Sequence, residues 1–395
     1  SGNLEIDLLE LGKLLCVKEI SDLTPMSQKG GTLGKTLTDH QTRWCPKPWL
    51  HVELETDDPR SVNLVKVFGW TLGGMMVKVF NKILPSLDYL KSLHFWRVGL
   101  TEETLTSLKT TMSLCTNLRT VVMEGNPLQE QSFHLFMSKD STLAHLSLRH
   151  NHIGEEGARL IGSALSANRN LLSLNLGFNF IGDAGARHIA KGLRLNRSLL
   201  CLSLSNNGIG DAGAASLAEV LGPFPLTHEE VVERRKLLIS IVHPVSDQTP
   251  GATAKKDEQK VSKKGDIYPK YISVPCRWLL ISAVESQLAE VPEPVNPLLD
   301  PGVVHKDGKV IMPGNATLTS LNLSGNNLTE HSLLLFLSSL RSQGEGVGLL
   351  RLSLTRNRFL VSCEPFLMIE EIMALRNPLS RSASSQENDE RKLTE

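Results

Sequence analysis

The stretch "HLSLRHNHIGEEGARLIGSAL", His145 to Leu165, decides the fold. It holds a short alternating segment, a polar loop and an apolar helical face, and it repeats. With Leu143 as position 1, Leu143, Leu146, Leu148, Asn151 and Ile153 define the frame LxxLxLxxNxI. The frame returns at Leu171, Leu174, Leu176, Asn179 and Ile181, and at Leu199, Leu202, Leu204, Asn207 and Ile209, each time after 28 residues. Upstream it fits Leu118, Val121, Met123, Asn126 and Leu128 with a 25-residue step. Two more 28-residue steps reach Leu90, Leu93, Phe95, Val98 and Leu100, then Val62, Val65, Val67, Trp70 and Leu72. Downstream it fits Leu318, Leu321, Leu323, Asn326 and Leu328, then Leu349, Leu352, Leu354, Asn357 and Phe359. A fixed period of this length marks a solenoid of stacked coils.

Each part of the frame has a physical cause. Positions 4 and 6 lie two apart on a short strand, so both point into the core. The asparagine amide both donates and accepts, and can satisfy backbone groups that the bend leaves unpaired. Val98 and Trp70 hold that slot in two early units, so their turns need other partners. Gly157, Ile161 and Leu165 then share one helical face, as do Gly185, Ile189, Leu193 and Gly213, Leu217, Leu221. The glycine is expected to let helix and strand approach closely. A unit this small cannot bury its apolar face alone and must stack.

The stretch "LSLNLGFNFIGDAGARHIAKGLRLNRS", Leu172 to Ser198, resembles the ribonuclease-inhibitor-like class of leucine-rich repeats. The resemblance implies an α/β fold: a horseshoe-shaped solenoid of about eight 28-residue repeats, with a parallel concave sheet and outer helices.

Composition bounds the rest. The chain has 395 residues, is 41% hydrophobic and carries a formal net charge of zero. Zero net charge argues against nucleic acid as the main partner. No apolar run reaches membrane length, so no membrane partner is expected. The N-terminal "LEIDLLELGKLLCV" reads as an amphipathic helix rather than a signal peptide. Cys16, Cys45, Cys115, Cys201, Cys276 and Cys363 form no CxxC pair, which favours reduced thiols in the cytoplasm over a disulfide or metal framework. The sequons at Asn196, Asn315, Asn322 and Asn327 read as by-products of an asparagine- and serine-rich repeat.

The period breaks once. Leu199 to Leu318 spans 119 residues, one 28-residue step plus an insertion of 91. The expected organisation is residues 1–60 as N-terminal segment and cap, 61–221 as repeats, and 222–314 as a partly disordered insertion at a repeat junction. Residues 315–378 carry the last repeats and a cap helix, and 379–395 form a disordered tail. In the insertion, Thr227 stands three residues before Glu230, a capping box. Lys255, Lys256, Lys260, Lys263 and Lys264 lie in a polar linker, "RWLLISAV" is an apolar run, and Asp307-Gly308 signals a hairpin. Near the end, Phe366, Ile369 and Met373 form one helical stripe.

No catalytic residue, metal site, cofactor or small-molecule substrate is expected. "KGGTLGKT", Lys29 to Thr36, has one residue too few between its glycines for a phosphate loop. His150 and His152 sit at turn positions and read as a satisfied or solvated surface pair rather than a metal site. What remains is recognition. Positions 3, 5 and 7 point onto the concave face. There Leu64, Lys66, Phe68, His94, Trp96, Val122, Glu124, His145 and Arg149 are the expected partner-binding residues, and small polar residues line the central coils. Aromatic and arginine side chains carry most interface energy. The first 60 residues could instead fold over Phe68 and Trp96, since terminal coils need caps. Asn126, Asn151, Asn179, Asn207, Asn326 and Asn357 are the expected structural slots.

The reading is a protein-binding scaffold. "GNPLQEQSFH", "LTHEEVVERRKLL", "VNPLLDP" and "KDGKVIMPGN" resemble a ciliary member of the leucine-rich repeat proteins. That resemblance implies a non-enzymatic protein of the cilium or flagellum axoneme, with other axonemal or cytoskeletal proteins as partners. Two other readings share the repeat class: a GTPase-activating protein of the Ran-activator type, and a soluble enzyme inhibitor. The first has a strongly acidic tail where this chain has the mixed "ENDERKLTE", and the second has many cysteines and an acidic surface.

Overall fold

The computed structural model describes residues 4–14, 48–242, 296–344 and 347–376. In it, the alternation at positions 4 and 6 becomes a short strand in every coil. In chain order the strands are β1 (Trp49–Leu54), β2 (Val62–Phe68), β3 (Ser92–Trp96), β4 (Thr120–Glu124), β5 (His145–Ser147), β6 (Ser173–Asn175), β7 (Cys201–Ser203), β8 (Phe224–Pro225), β9 (Val304–Lys306), β10 (Lys309–Met312), β11 (Ser320–Asn322) and β12 (Arg351–Ser353). One nine-stranded sheet runs β1-β2-β3-β4-β5-β6-β7-β11-β12, and β8-β10-β9 form a small second sheet. The register pairs like positions: Leu93 with Val121, Leu146 with Leu174, and Leu202 with Leu321. These side chains are all buried. The chain forms an α/β solenoid with a parallel sheet over its eight repeats and helices on the return path of the coils.

The helices are α1 (Leu4–Leu14), α2 (Gly74–Ile83), α3 (Glu102–Met112), α4 (Glu155–Ala167), α5 (Gly182–Arg194), α6 (Asp211–Leu221), α7 (His228–Val242), α8 (Glu330–Ser342) and α9 (Glu364–Arg376). The 25-residue coil that starts at Leu118 has a 3₁₀ turn at Ser132–Met137 in place of a helix, with Phe133, Phe136 and Met137 buried. The frame glycines face two ways. A Cβ at Gly185 would lie 2.7 Å from Ile181 Cγ2 of its own coil and 3.0 Å from Ala158 of the preceding helix, and one at Gly213 would meet Ile209 and Ala186 in the same way. Two further glycines space the helices: a Cβ at Gly162 would collide with the His188 carbonyl oxygen, and one at Gly192 with that of Gly162. Small residues thus set the approach of each helix both to its own coil and to the helix of the neighbouring coil.

Polar ladders bind the coils together. The Asn151 amide oxygen accepts the backbone N–H of Asn126 at 2.7 Å, and that of Asn179 accepts the N–H groups of Asn151 and Ile153 at 2.9 and 3.1 Å. Asn126 takes the N–H of Val98 at 2.8 Å, so the valine that fills the slot one coil earlier has its partner. Asn357 takes that of Leu328 at 3.1 Å. Sequence reading missed a second ladder three residues before each frame start. Asn168, Asn196 and Asn315 are fully buried. Asn196 donates to the carbonyls of Leu165 and Asn168, and Asn315 donates to those of Leu193 and Asn196. Two of the four sequon asparagines are therefore internal struts.

Contacts divide the chain into two units: Ser1–Pro225 with Ile311–Glu395, and Leu226–Val310. In the first, β7 pairs directly with β11, and Phe224 and Pro225 pair with Met312 and Ile311. In the second, Thr227 and Glu230 exchange backbone bonds in a capping box at the start of α7. Arg234 donates to the Leu298 carbonyl. Asp307 and Gly308, both at positive φ, make the two-residue turn of the β9–β10 hairpin, as such a pair should.

At the ends, β1 pairs antiparallel with β2, and Leu4 and Leu8 of α1 are buried. In α9, Phe366, Ile369 and Met373 are buried, and Arg376 donates to the Leu340 carbonyl at 2.7 Å at the close of α8. The "KGGTLGKT" segment, the lysine-rich linker, "RWLLISAV", Cys16, Cys45, Cys276 and the tail lie outside the described residues.

Candidate functional site

The sheet's outer face is built by positions 3, 5 and 7. At position 7 the register places Phe68 beside Trp96 and Trp96 beside Glu124, with Trp49 of β1 opposite Phe68. Trp49 stacks on Phe68 at 5.5 Å with 13° between the rings, and Phe68 meets Trp96 edge to face at 5.3 Å. The described part of the N-terminal cap therefore closes the edge of the sheet and adds a third ring to the aromatic row. Trp96 remains 44% exposed. Gly125 makes room beside it, at φ +69°: a Cβ there would lie 2.8 Å from Arg97 Cγ and 3.4 Å from the Trp96 ring.

A polar row runs alongside. Lys66 Nζ donates to Glu53 Oε1 at 2.9 Å, and His51 Nε2 lies 3.0 Å from the same oxygen. The Lys66 hydrogen bond holds the Glu53 carboxyl below its usual value. Burial, then the charge of Lys66, lowers the pKa of His94, whose Nε2 sits 2.9 Å from Ser92 Oγ. Leu64, Val122 and His145 are half-buried on the same face. Glu124 is the outlier at 8% exposure: Ser147 Oγ donates to it at 2.5 Å and Arg149 lies 3.9 Å away. Its carboxylate serves its own neighbours first. The nine residues thus fall on one face in consecutive strands, with Trp96 the most open among them.

One row was invisible to the frame. Position 8, just before the asparagine slot, takes a left-handed backbone in all eight coils: Gly69, Arg97, Gly125, His150, Phe178, Asn206, Gly325 and Arg356. Glycine or asparagine accepts this conformation readily, while a bulky residue gives up about 1 kcal/mol. His150 and Phe178 stack at 4.6 Å, with Arg149 over the Phe178 ring at 5.0 Å. His152 and Phe180 approach at 5.3 Å. Both histidines stay exposed and also lie against rings of the next coil. Burial, then the charge of Arg149, lowers the pKa of His150.

Among the described residues, no cluster of three or more His, Cys, Asp or Glu could hold a metal ion. No helix there is long and apolar enough to cross a membrane. Cys115 and Cys363 are free thiols, and burial pushes the pKa of Cys115 up to about 11.

A family profile described as "Leucine Rich repeat" matches residues 139–162, 167–190, 195–218 and 314–330, in phase with the observed coils. These coils are leucine-rich repeats. The last matched segment lies beyond the insertion, which agrees with the pairing of β7 and β11. Among solved structures, an internalin (inlF) from Listeria monocytogenes is similar at 12% identity over 92% of this chain and 93% of that chain, with a TM-score of 0.21. At that TM-score the likeness adds nothing to the description of the fold. Leucine-rich repeats present an extended surface on a stacked scaffold, and the role they support is protein binding.

Proposed function

We propose that this protein is a non-enzymatic scaffold of a ciliary or flagellar axonemal assembly, holding neighbouring proteins through the N-terminal sheet face and the insertion. The observation that carries the binding site is the row Trp49–Phe68–Trp96, three rings in van der Waals register with the last one open to solvent. An aromatic cluster beside His94 and Lys66 has the composition of an interface hot spot. Leu64, Val122, His145 and Arg149 extend it across the next strands, and Glu124 helps to position Arg149.

Support for the location comes from sequence. "GNPLQEQSFH", "LTHEEVVERRKLL" and "KDGKVIMPGN" resemble leucine-rich repeat-containing protein 71. In this reading residues 1–60 are an N-terminal segment and cap, 222–314 a second binding element, and 379–395 a tail. The partners are axonemal or cytoskeletal proteins, with no cofactor.

Crosslinking mass spectrometry on isolated axonemes tests the proposal. Crosslinks from Lys66, Lys91 or the insertion to other axonemal proteins are expected, and Trp96→Ala should deplete those from the sheet face. Absence of the protein from axonemes would remove the location. Crosslinks from Lys66 that reach only residues before Arg60 would remove the sheet face as the binding site.

A further inference from the structure

The loop edge beside the sheet face carries its own ordered row of side chains. Along this edge the position-8 N–H of each coil donates to the position-7 carbonyl of the next. Arg97 bonds Glu124 at 3.0 Å, Gly125 bonds Arg149 at 3.0 Å, and His150 bonds Gly177 at 3.3 Å. These bonds place Arg97, Arg149, His150 and Phe178 on consecutive coils in a fixed order. The rings are ordered as well: His150 on Phe178, Arg149 over Phe178, and His152 against Phe180.

Three features make this edge unlike the rest of the solenoid. First, the backbone is held left-handed at Arg97, His150 and Phe178, where Gly69, Gly125 and Gly325 bear the same turn without strain, and at His152, where Gly99 and Gly208 do. Arg97, His150 and His152 are exposed, so they give up stability and bury little in return, and strain retained without a packing reward marks functional segments. Second, large aromatic surface is left open: Phe180 is 68% exposed and Phe178 37%. Third, the charges near His150 are one-sided. Arg149, Arg97 and His152 are cationic or can become so, and the opposing Glu124 is buried and bonded to Ser147. Among the described residues, no hydrogen bond or ion pair holds the Arg97 guanidinium. The patch is bounded, because the next coil offers Asn206 and Gly208 at the equivalent positions. A groove for a nucleic-acid strand would need the cations to continue; a short peptide does not.

We propose that the loop edge formed by Arg97, Arg149, His150, His152, Phe178 and Phe180 is a second docking site, and that it takes an acidic peptide segment of a partner protein with an apolar side chain beside its carboxylates. The carboxylates would pair with Arg97 and Arg149, whose forked donors suit them. The apolar side chain would cover Phe180 and the open face of Phe178. The site stands independently of the sheet face and shares only Arg149 with it.

The test is selection of a random dodecapeptide display library on the immobilised full chain, followed by fluorescence anisotropy with the best peptide. Enriched peptides are expected to be net negative and to carry at least one Leu, Phe or Trp. Arg97→Glu and Phe180→Ala should each weaken that peptide tenfold or more, while Trp96→Ala should change it less than threefold. Circular dichroism melts of each variant check folding, and Arg97→Gln stands in if the charge reversal unfolds the chain. The proposal is overturned if no peptide is enriched, if the enriched peptides are neutral or basic, or if acidic ones ignore both variants. A concentration-dependent dimer in sedimentation that Phe180→Ala dissolves would also overturn it, in favour of a second copy of the chain.

Discussion

Asn326 accepts the backbone N–H of Asn207 at 2.9 Å, although 119 residues separate them in the chain. The same amide oxygen takes the N–H of Ile209 at 3.1 Å, and its Nδ2 donates to the carbonyls of Leu204 and Leu323. Asn326→Ala would strand three buried backbone groups, since the Leu323 carbonyl keeps its bond from Asn357 Nδ2, and each costs about 1–3 kcal/mol when unmet. Partial relaxation should reduce the total to about 3–5 kcal/mol. Asn322→Ala is the control, since its side chain is half-buried and accepts one bond, from Ser324. It should cost less than about 1 kcal/mol. Equilibrium urea unfolding of both variants checks this, and equal midpoints would refute the ladder's role.

Across the insertion the repeat ladder resumes directly, with β7 paired to β11. Phe224 and Pro225 pair antiparallel with Met312 and Ile311, which leaves the two chain ends side by side. Replacing residues 227–309 by Asn-Gly would close the ladder on the hydrogen-bonded pair Leu226–Val310 as a tight hairpin, because that dipeptide accepts positive φ at both turn positions. The shortened chain is expected to stay folded, with its far-UV signal per repeat residue intact and its melting temperature within a few degrees of the parent. Loss of the cooperative melt would show that residues 227–309 are needed to hold the repeats together.

How much of this could be read from sequence follows from periodicity. Positions 1, 4, 6, 9 and 11 face the core, so their chemistry is constrained in every coil and the frame appears in the residues themselves. Trp70 and Val98 depart from the asparagine slot and are still buried, because the slot itself lies inside. The ladder of Asn168, Asn196 and Asn315 carries the same 28- and 119-residue spacing, but two of its members, Asn196 and Asn315, also look like sequons. Only burial distinguishes the two roles. The His150–Phe178 stack leaves no periodic trace, since position 8 is fixed by backbone geometry and admits Gly, Asn, Arg, His or Phe. The burial of Glu124 was equally hidden: it arises from Ser147 and Arg149 on the next coil, which alternation along one strand cannot show.

Asp211 ties α6 to α8 across the insertion. Its Oδ1 accepts the Thr329 N–H at 2.9 Å, its Oδ2 accepts Thr329 Oγ1 at 2.6 Å, and Ser332 Oγ also donates to it. Burial alone would raise the carboxyl pKa, but the bonds from Ser332 and Thr329 outweigh it and hold the value below that of a free aspartate. A depressed folded-state pKa gives stability that is complete above the ordinary aspartate value and lost as pH falls through it towards the folded one. Asp211→Asn should therefore lower the urea midpoint most near neutral pH, with the gap from the parent narrowing below about pH 4. A gap that stayed constant down to about pH 3 would show that the charge itself contributes nothing.

Gly162 gives the sharpest reversal of an ordinary rule. In a helix interior, Gly→Ala normally stabilises by about 1 kcal/mol. Here the added Cβ would strike the His188 carbonyl oxygen of α5, a backbone atom that cannot swing aside. The neighbouring helices would have to separate, which also opens the contact between Gly192 and the Gly162 carbonyl. Gly162→Ala should therefore destabilise the protein by about 2 kcal/mol or more, in the range of overpacked cores. Gly74→Ala in α2 meets no atom within 4 Å and should stabilise by about 0.5–1 kcal/mol. Opposite signs in paired urea titrations are expected. If Gly162→Ala were neutral or stabilising, close helix contact would not be what requires glycine at this position.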